Sequence, residues 1–375
     1  MPPLKDVLLS LKMYRLSLIV TTVIGVGLLA SMGLEALFRY LMLGVLEVGF
    51  SFDNAVVNAT VLATMAVVWQ RRFLTWGIGV AVFGMRLLFP IGIVSVTAKL
   101  SPWAVARLAF KQPNVYTEKL NAAHPEVLIA CGTFLLLIFL DFIFEEREIT
   151  WVSPIESRLA KVGKLDMVSI VITGVTIIAL GEVLHNGDIL VYGFASMMTY
   201  VVVNSLSNLL KSKDEQDAVA AKTRPMGVGT KVGRAAFATF VYLEVQDAAF
   251  SGDSVSGAFA VSSDIRLIVL GLGVGALFVR TMTVHLLRSG ALDERSENRL
   301  VYLEHGANWA IGVLAALLLS ELFVVIPTYV PGLVSVLLIA ASVFSSIRYN
   351  KRRPPAESTA VTVGPDDAPG EGCER

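Results

Sequence analysis

About ten apolar runs, each close to the roughly 20 residues a membrane-spanning helix needs, dominate this chain. They cover approximately Tyr14–Met32, Leu43–Val68, Leu74–Val96, Val127–Phe144, Val168–Leu184, Ile189–Leu210, Ala235–Ala260, Leu267–Leu287, Ala307–Val325 and Leu333–Ile347. In hydrocarbon each backbone donor and acceptor must be satisfied within the chain, and continuous runs of this length do that as helices. The expected fold class is all-α: a polytopic transmembrane helical bundle of about ten helices. A chain that is 55% hydrophobic and 17% charged fits no soluble globular class. Its zero net charge offers no basic surface to nucleic acid. Cys131 and Cys373 are too few and too far apart for a disulfide framework or a thiolate metal site. The four histidines, His124, His185, His285 and His305, lack the H-E-x-x-H spacing, and no nucleophile–base pair stands out, so the chain does not read as an enzyme.

Lysines and arginines in short loops set the orientation. Arg71-Arg72, the loop with Arg147, Arg158, Lys161 and Lys164, the stretch Lys211–Arg234, Arg288–Arg299, Lys351-Arg352-Arg353 and the N-terminus all fall on one side of a ten-helix count. That side is the cytoplasm, with both termini inside. The 99–125 loop, with Lys99, Arg107, Lys111 and Lys119, is the exception on the outer face. Lys5, Lys12 and Arg15 precede the first apolar run as in a signal peptide, but the length of that run reads as a retained first helix.

Within the second run lies Leu46-Glu47-Val48-Gly49-Phe50-Ser51-Phe52-Asp53-Asn54, which puts two acids where the bilayer should be. Each ionisable side chain at the midplane costs roughly 2.5–3.5 kcal/mol on insertion scales, so these must face a bundle interior, a partner or an ion. The pattern returns as Gln246-Asp247-Ala248-Ala249-Phe250-Ser251-Gly252-Asp253-Ser254, pairing Glu47 with Asp247, Ser51 with Ser251, Asp53 with Asp253 and Asn54 with Ser254. Gly77-Ile78-Gly79 with Arg86 and Gly271-Leu272-Gly273 with Arg280 echo at equal spacing, and His124 with Asp141 loosely matches His305 with Glu321. Three helices thus recur with opposite orientation, the inverted-topology repeat in which secondary transporters build sites near the midplane. Glu47, Ser51 and Asn54 share one helical stripe, as do Asp247, Ser251 and Ser254. Asp53 and Asp253 join those stripes if the helices unwind locally at Gly49 and Gly252. The resulting donor set is all oxygen, suited to Mn²⁺, Ca²⁺ or Mg²⁺.

Other polar residues read as structural. Arg86 and Arg280 neutralise acids rather than bind ligand. Glu244, near the inner end of its helix, snorkels. Glu304 and His305 cap a helix start. Glu182 and His185 belong to an interfacial turn.

The paired motif, Glu47…Ser51-Phe52-Asp53-Asn54 with Asp247…Ser251-Gly252-Asp253-Ser254, resembles the signature of the TerC family of integral membrane proteins, in its larger uncharacterised branch. The resemblance runs over roughly Phe38–Phe344 and implies membership of a lysine-exporter-like carrier superfamily, with manganese efflux and tellurium resistance among the functions attached to the family. Gly252 and the extra N-terminal helix depart from the family pattern. Carried over by position, the ion-handling residues are Asp53, Asn54, Asp253 and Ser254, supported by Glu47 and Asp247. The expectation is a multi-pass plasma-membrane carrier that exports a divalent cation, manganese favoured, by alternating access, without a permanently bound cofactor. Its partners are the lipid bilayer, the cation, and cytosolic stress proteins or a second copy of the chain. The alternatives are a non-transporting scaffold of a metal or tellurium stress system, and an exporter of a small organic cation. The expected organisation is an N-terminal helix (1–36), a first repeat half (37–149), a connecting helix pair (150–210), a cytoplasmic linker (211–234), a second half (235–348) and a disordered tail (349–375).

Overall fold

Helix continuity in this protein is set by where glycine, proline and charge interrupt apolar sequence. The structure, a computed structural model, describes residues 4–147, 149–163, 167–220, 233–262, 264–289, 291–292, 299–327 and 329–352. Among the described residues there are helices and no strands. In order they are α1 (Leu4–Met32), α2 (Leu34–Phe50), α3 (Phe52–Ala63), α4 (Val67–Gly79), a π-helical segment (Val80–Leu88) and α5 (Phe89–Thr97). Two short helices, α6 (Pro102–Lys111) and α7 (Pro113–Ala122), occupy the basic 99–125 loop. Then come α8 (His124–Phe144), α9 (Ser153–Val162), α10 (Val168–Leu184), α11 (Gly187–Ala220), α12 (Gly233–Val261), α13 (Ile265–Arg288), α14 (Leu303–Glu321) and α15 (Tyr329–Arg352). Proline opens α5 to α9, where its missing N–H costs nothing. His185, at φ 50°, turns α10 into α11.

Among the described residues six helices are long and apolar enough to cross a membrane: α1, α8, α11, α13, α14 and α15. The number becomes eight if α2 with α3, bent by 52°, and Val67–Gly77 with Val82–Thr97, bent by 42°, are each one span. The apolar α10 is shorter, and α12 carries Glu244, Asp247 and Asp253. Length and apolarity alone therefore stop short of the expected ten. α11 continues helical to Ala220, into the expected linker; 221–232 and the tail beyond Arg352 lie outside the described residues.

The most apolar window of α8 is 78% buried and that of α1 only 17%, so α8 is central and α1 peripheral. Val23, Val45, Trp76, Phe83 and Val325 are exposed on the periphery, an apolar surface that lipid would cover. At one end of the bundle Arg39 donates to the Val261 carbonyl (3.4 Å) and Tyr116 packs on Phe259 (5.8 Å). Here too Asp264 caps α13, and its ion pair with Arg266 (2.7 Å) holds its carboxyl below the usual carboxylate range. At the other end Trp69 meets Phe237 (6.1 Å), and Asn350 donates to the Arg299 carbonyl (2.8 Å).

Helices α2 to α8 and α12 to α14 pack on one another in several pairs. α2 packs on α13 and α12 on the π-helical segment; α3 packs on α14 and α12 on α8; α8 and α14 pack on each other. The α2–α13 crossing is close because Gly275 faces Glu47: a Cβ there would meet the Glu47 Cβ at 2.4 Å. Gly275→Ala is accordingly expected to destabilise the protein by about 1–3 kcal/mol, the usual cost of overpacking. Thermal unfolding of the purified protein in detergent checks this; an unchanged midpoint would show that the crossing has slack.

Candidate ion-handling site

Two helices, one broken and one continuous, carry the paired motif. α2 ends at Phe50 and α3 starts at Phe52, with Ser51 (φ −102°, ψ 18°) between them, two residues beyond Gly49. The first expected unwinding is therefore present; the Ser51 amide closes α2 on the Glu47 carbonyl (2.9 Å). Just beyond the break the Asn54 backbone amide donates to Asp53 Oδ1 (2.8 Å), a capping bond within the first turn of α3. The second expected unwinding is absent: α12 runs unbroken through Gly252, because a glycine lowers helix propensity without by itself ending a packed helix.

The acids occupy three settings. Glu47 accepts from Ser51 Oγ (2.8 Å) and pairs directly with Arg86 of the π-helical segment. Asp247 accepts from Asn54 Nδ2 across the two halves, and lies 3.4 Å from Arg280 Nη2. Asp53 faces neither arginine in these contacts; its Oδ2 accepts from Ser335 Oγ of α15 (3.1 Å). Gly332, one turn before Ser335, comes within van der Waals range of Phe50 and Gly49, so α15 seals the broken backbone. Glu47, Asp53, Asn54 and Asp247 are all buried. The structure thus joins Asn54 to Asp247 and sets Asp53 beside Asn54, but turns Ser251 and Ser254 to backbone carbonyls of their own helix (2.7 and 3.1 Å). The side chain of Asp253 lies outside the described residues.

Glu244 departs from expectation. It does not snorkel: it is buried on α12, 3.6 Å from Arg280 Nη2. Counting it, the described residues of this region include four buried carboxyls (Glu47, Asp53, Glu244, Asp247) and two buried guanidiniums (Arg86, Arg280), an excess of two acids among them. Glu47 Oε2, Asn54 Oδ1, Asn58 Oδ1 and both Glu244 oxygens accept no hydrogen bond. Buried acceptors without donors need positive charge from elsewhere, either protons or a cation. Among the described residues no three His, Cys, Asp or Glu side chains gather closely enough to hold a metal ion. The arginines occupy the space between the acids instead, as expected of neutralising partners.

A second polar cluster has no counterpart in the sequence reading. Glu156 of α9 is buried and accepts from the Trp151 and Val152 amides (3.0 and 3.2 Å) and from Trp309 Nε1 (2.9 Å), with His305 Nδ1 at 3.2 Å. His305 and Glu304 do not cap α14. His305 meets Glu156, and Glu304 pairs with Arg147 (2.7 Å) beside a cavity of about 220 Å³ lined by Phe142, Lys161 and His305. His185 does sit in the expected turn.

A family model described as a protein of unknown function, DUF475, matches residues 52–353. That range includes Asp53, Asn54 and the whole second motif, and leaves out α1 and Glu47. No curated protein and no solved structure matches the chain.

Proposed function

The chain belongs to the DUF475 family, and from the charges at its centre we propose that it is a multi-pass carrier of a divalent cation. The observation that carries this reading is the excess, among the described residues around the paired motif, of two buried carboxyls over buried guanidiniums, which one divalent cation, or two protons in exchange for it, would neutralise. Asp53, Asn54 and Asp247 would hold the cation, aided by Asp253 and Ser254 of the echoed motif and by carbonyls at the end of α2. All of these are oxygen donors, which favour Mn²⁺, with Ca²⁺ and Mg²⁺ next. Glu47 serves as a structural acid, because Arg86 and Ser51 both engage its Oε1.

The contacts between α2 to α8 and α12 to α14 support two inverted halves that rock about the site. Adding α10 and α12 to the eight apolar spans gives ten passes through the plasma membrane with both termini cytoplasmic. The resemblance to TerC carriers points to export. Cellular content of manganese, calcium and magnesium, with and without the protein, tests the reading. Lower manganese in expressing cells is expected, and no difference in any divalent ion would overturn it.

Topology has its own test. In a background lacking Cys373, a membrane-impermeant thiol reagent is expected to label a cysteine placed at Arg266 and to spare one placed at Arg158. Both side chains are on the surface, so protection at Arg158 reports sidedness. The reverse pattern would refute the cytoplasmic assignment.

A further inference from the structure

Arg280 lies between two acids and is bound closely by neither. Its Nη2 is 3.4 Å from Asp247 Oδ2 and 3.6 Å from Glu244 Oε1. α4 holds the rest of the guanidinium: the Phe73 ring stacks 3.7 Å from Cζ, and the Phe73 carbonyl lies 3.4 Å from Nη1. Gly77 supplies the space, since a Cβ there would meet Glu244 Oε1 at 2.7 Å and Arg280 Nη1 at 2.8 Å. Arg86, by contrast, pairs directly with Glu47, which Ser51 also holds. The position that corresponds to Glu244 under the Glu47/Asp247 offset is Gly44, so the first motif carries no counterpart of Glu244.

We propose that Glu244 is a second seat for the Arg280 guanidinium, which shifts from Asp247 to Glu244 when a cation takes Asp247. The inference rests on the cation-carrier reading and adds a mechanism to it. A cation and an arginine compete for one carboxylate, and a nearby acid makes the arginine easy to displace because its charge is never stranded. Glu244 is thus a positioning residue that acts through Arg280.

The test is Mn²⁺ titration by calorimetry of the full chain in nanodiscs, with size-exclusion profiles to confirm folding. Glu244→Gln leaves Arg280 only Asp247 to pair with, and is expected to weaken Mn²⁺ binding at least tenfold. Glu244→Asp should recover most of the affinity, and it keeps the experiment decisive if the Gln variant folds poorly. The double variant Glu244→Gln/Arg280→Gln should bind at least as well as the wild type, because no guanidinium then competes for Asp247. Wild-type affinity in Glu244→Gln would overturn the inference. So would a double variant as weak as Glu244→Gln alone, which would make Glu244 a direct ligand. A wild-type protein that binds no divalent cation would refute the carrier reading itself, and with it this one.

Discussion

Replacing Asp53 by Asn is expected to abolish lowering of cellular manganese while leaving the amount of protein in the membrane unchanged. Asn keeps the volume and one carbonyl oxygen, enough to accept from the Asn54 amide or the Ser335 hydroxyl that Asp53 contacts. What it removes is the charge that would offset a dehydrated dication. Insertion should not suffer, since loss of an intramembrane charge relieves roughly 2.5–3.5 kcal/mol. Metal content and membrane abundance, measured on the same cells, separate these effects. A well-inserted Asp53→Asn protein that still lowers manganese would remove Asp53 from the site.

Arg86→Gln should fail differently. Glu47 is fully buried, and its direct partner is Arg86. A buried charge left without its partner typically destabilises by about 3–5 kcal/mol, comparable with a large part of a protein's total stability. The expected result is little folded protein, with abundance restored in the double variant Glu47→Gln/Arg86→Gln, where no net charge is stranded. Normal abundance of Arg86→Gln alone would mean that Glu47 is protonated in the folded protein. The contrast with Asp53 is informative because both acids sit in one motif, six residues apart.

The helices were legible because apolar runs announce themselves without reference to the rest of the chain, and so were the two arginines as partners of acids, from their equal spacing in the echo. Gly49 marked the bend of the first motif. The same reasoning failed at Gly252, where packing of α12 against α8, α11 and the π-helical segment holds the helix straight. Glu244 is held in the interior by Arg280 of the next helix, a partner that its own stretch of sequence does not announce. Ser335 is one serine among several on α15, and nothing local distinguishes it. Glu156 lies on a short polar helix and gains its role only from Trp309 and His305, some 150 residues on. Contacts of that range leave no periodic trace.

The placement of the two arginines also bears on how the chain is made. Arg86 follows Glu47 by 39 residues and Arg280 follows Asp247 by 33, each on the next span. Each acid-bearing helix therefore enters the bilayer just ahead of its own counter-charge, and the two can leave the insertion machinery as one compensated hairpin. Had Glu47 been matched to Arg280, a naked carboxylate would have waited in lipid for most of the translation of the protein. The link between the halves, from Asn54 to Asp247, joins an amide to an acid and can form late, after both hairpins are in place. For Glu47 and Asp247, synthesis order and charge order coincide.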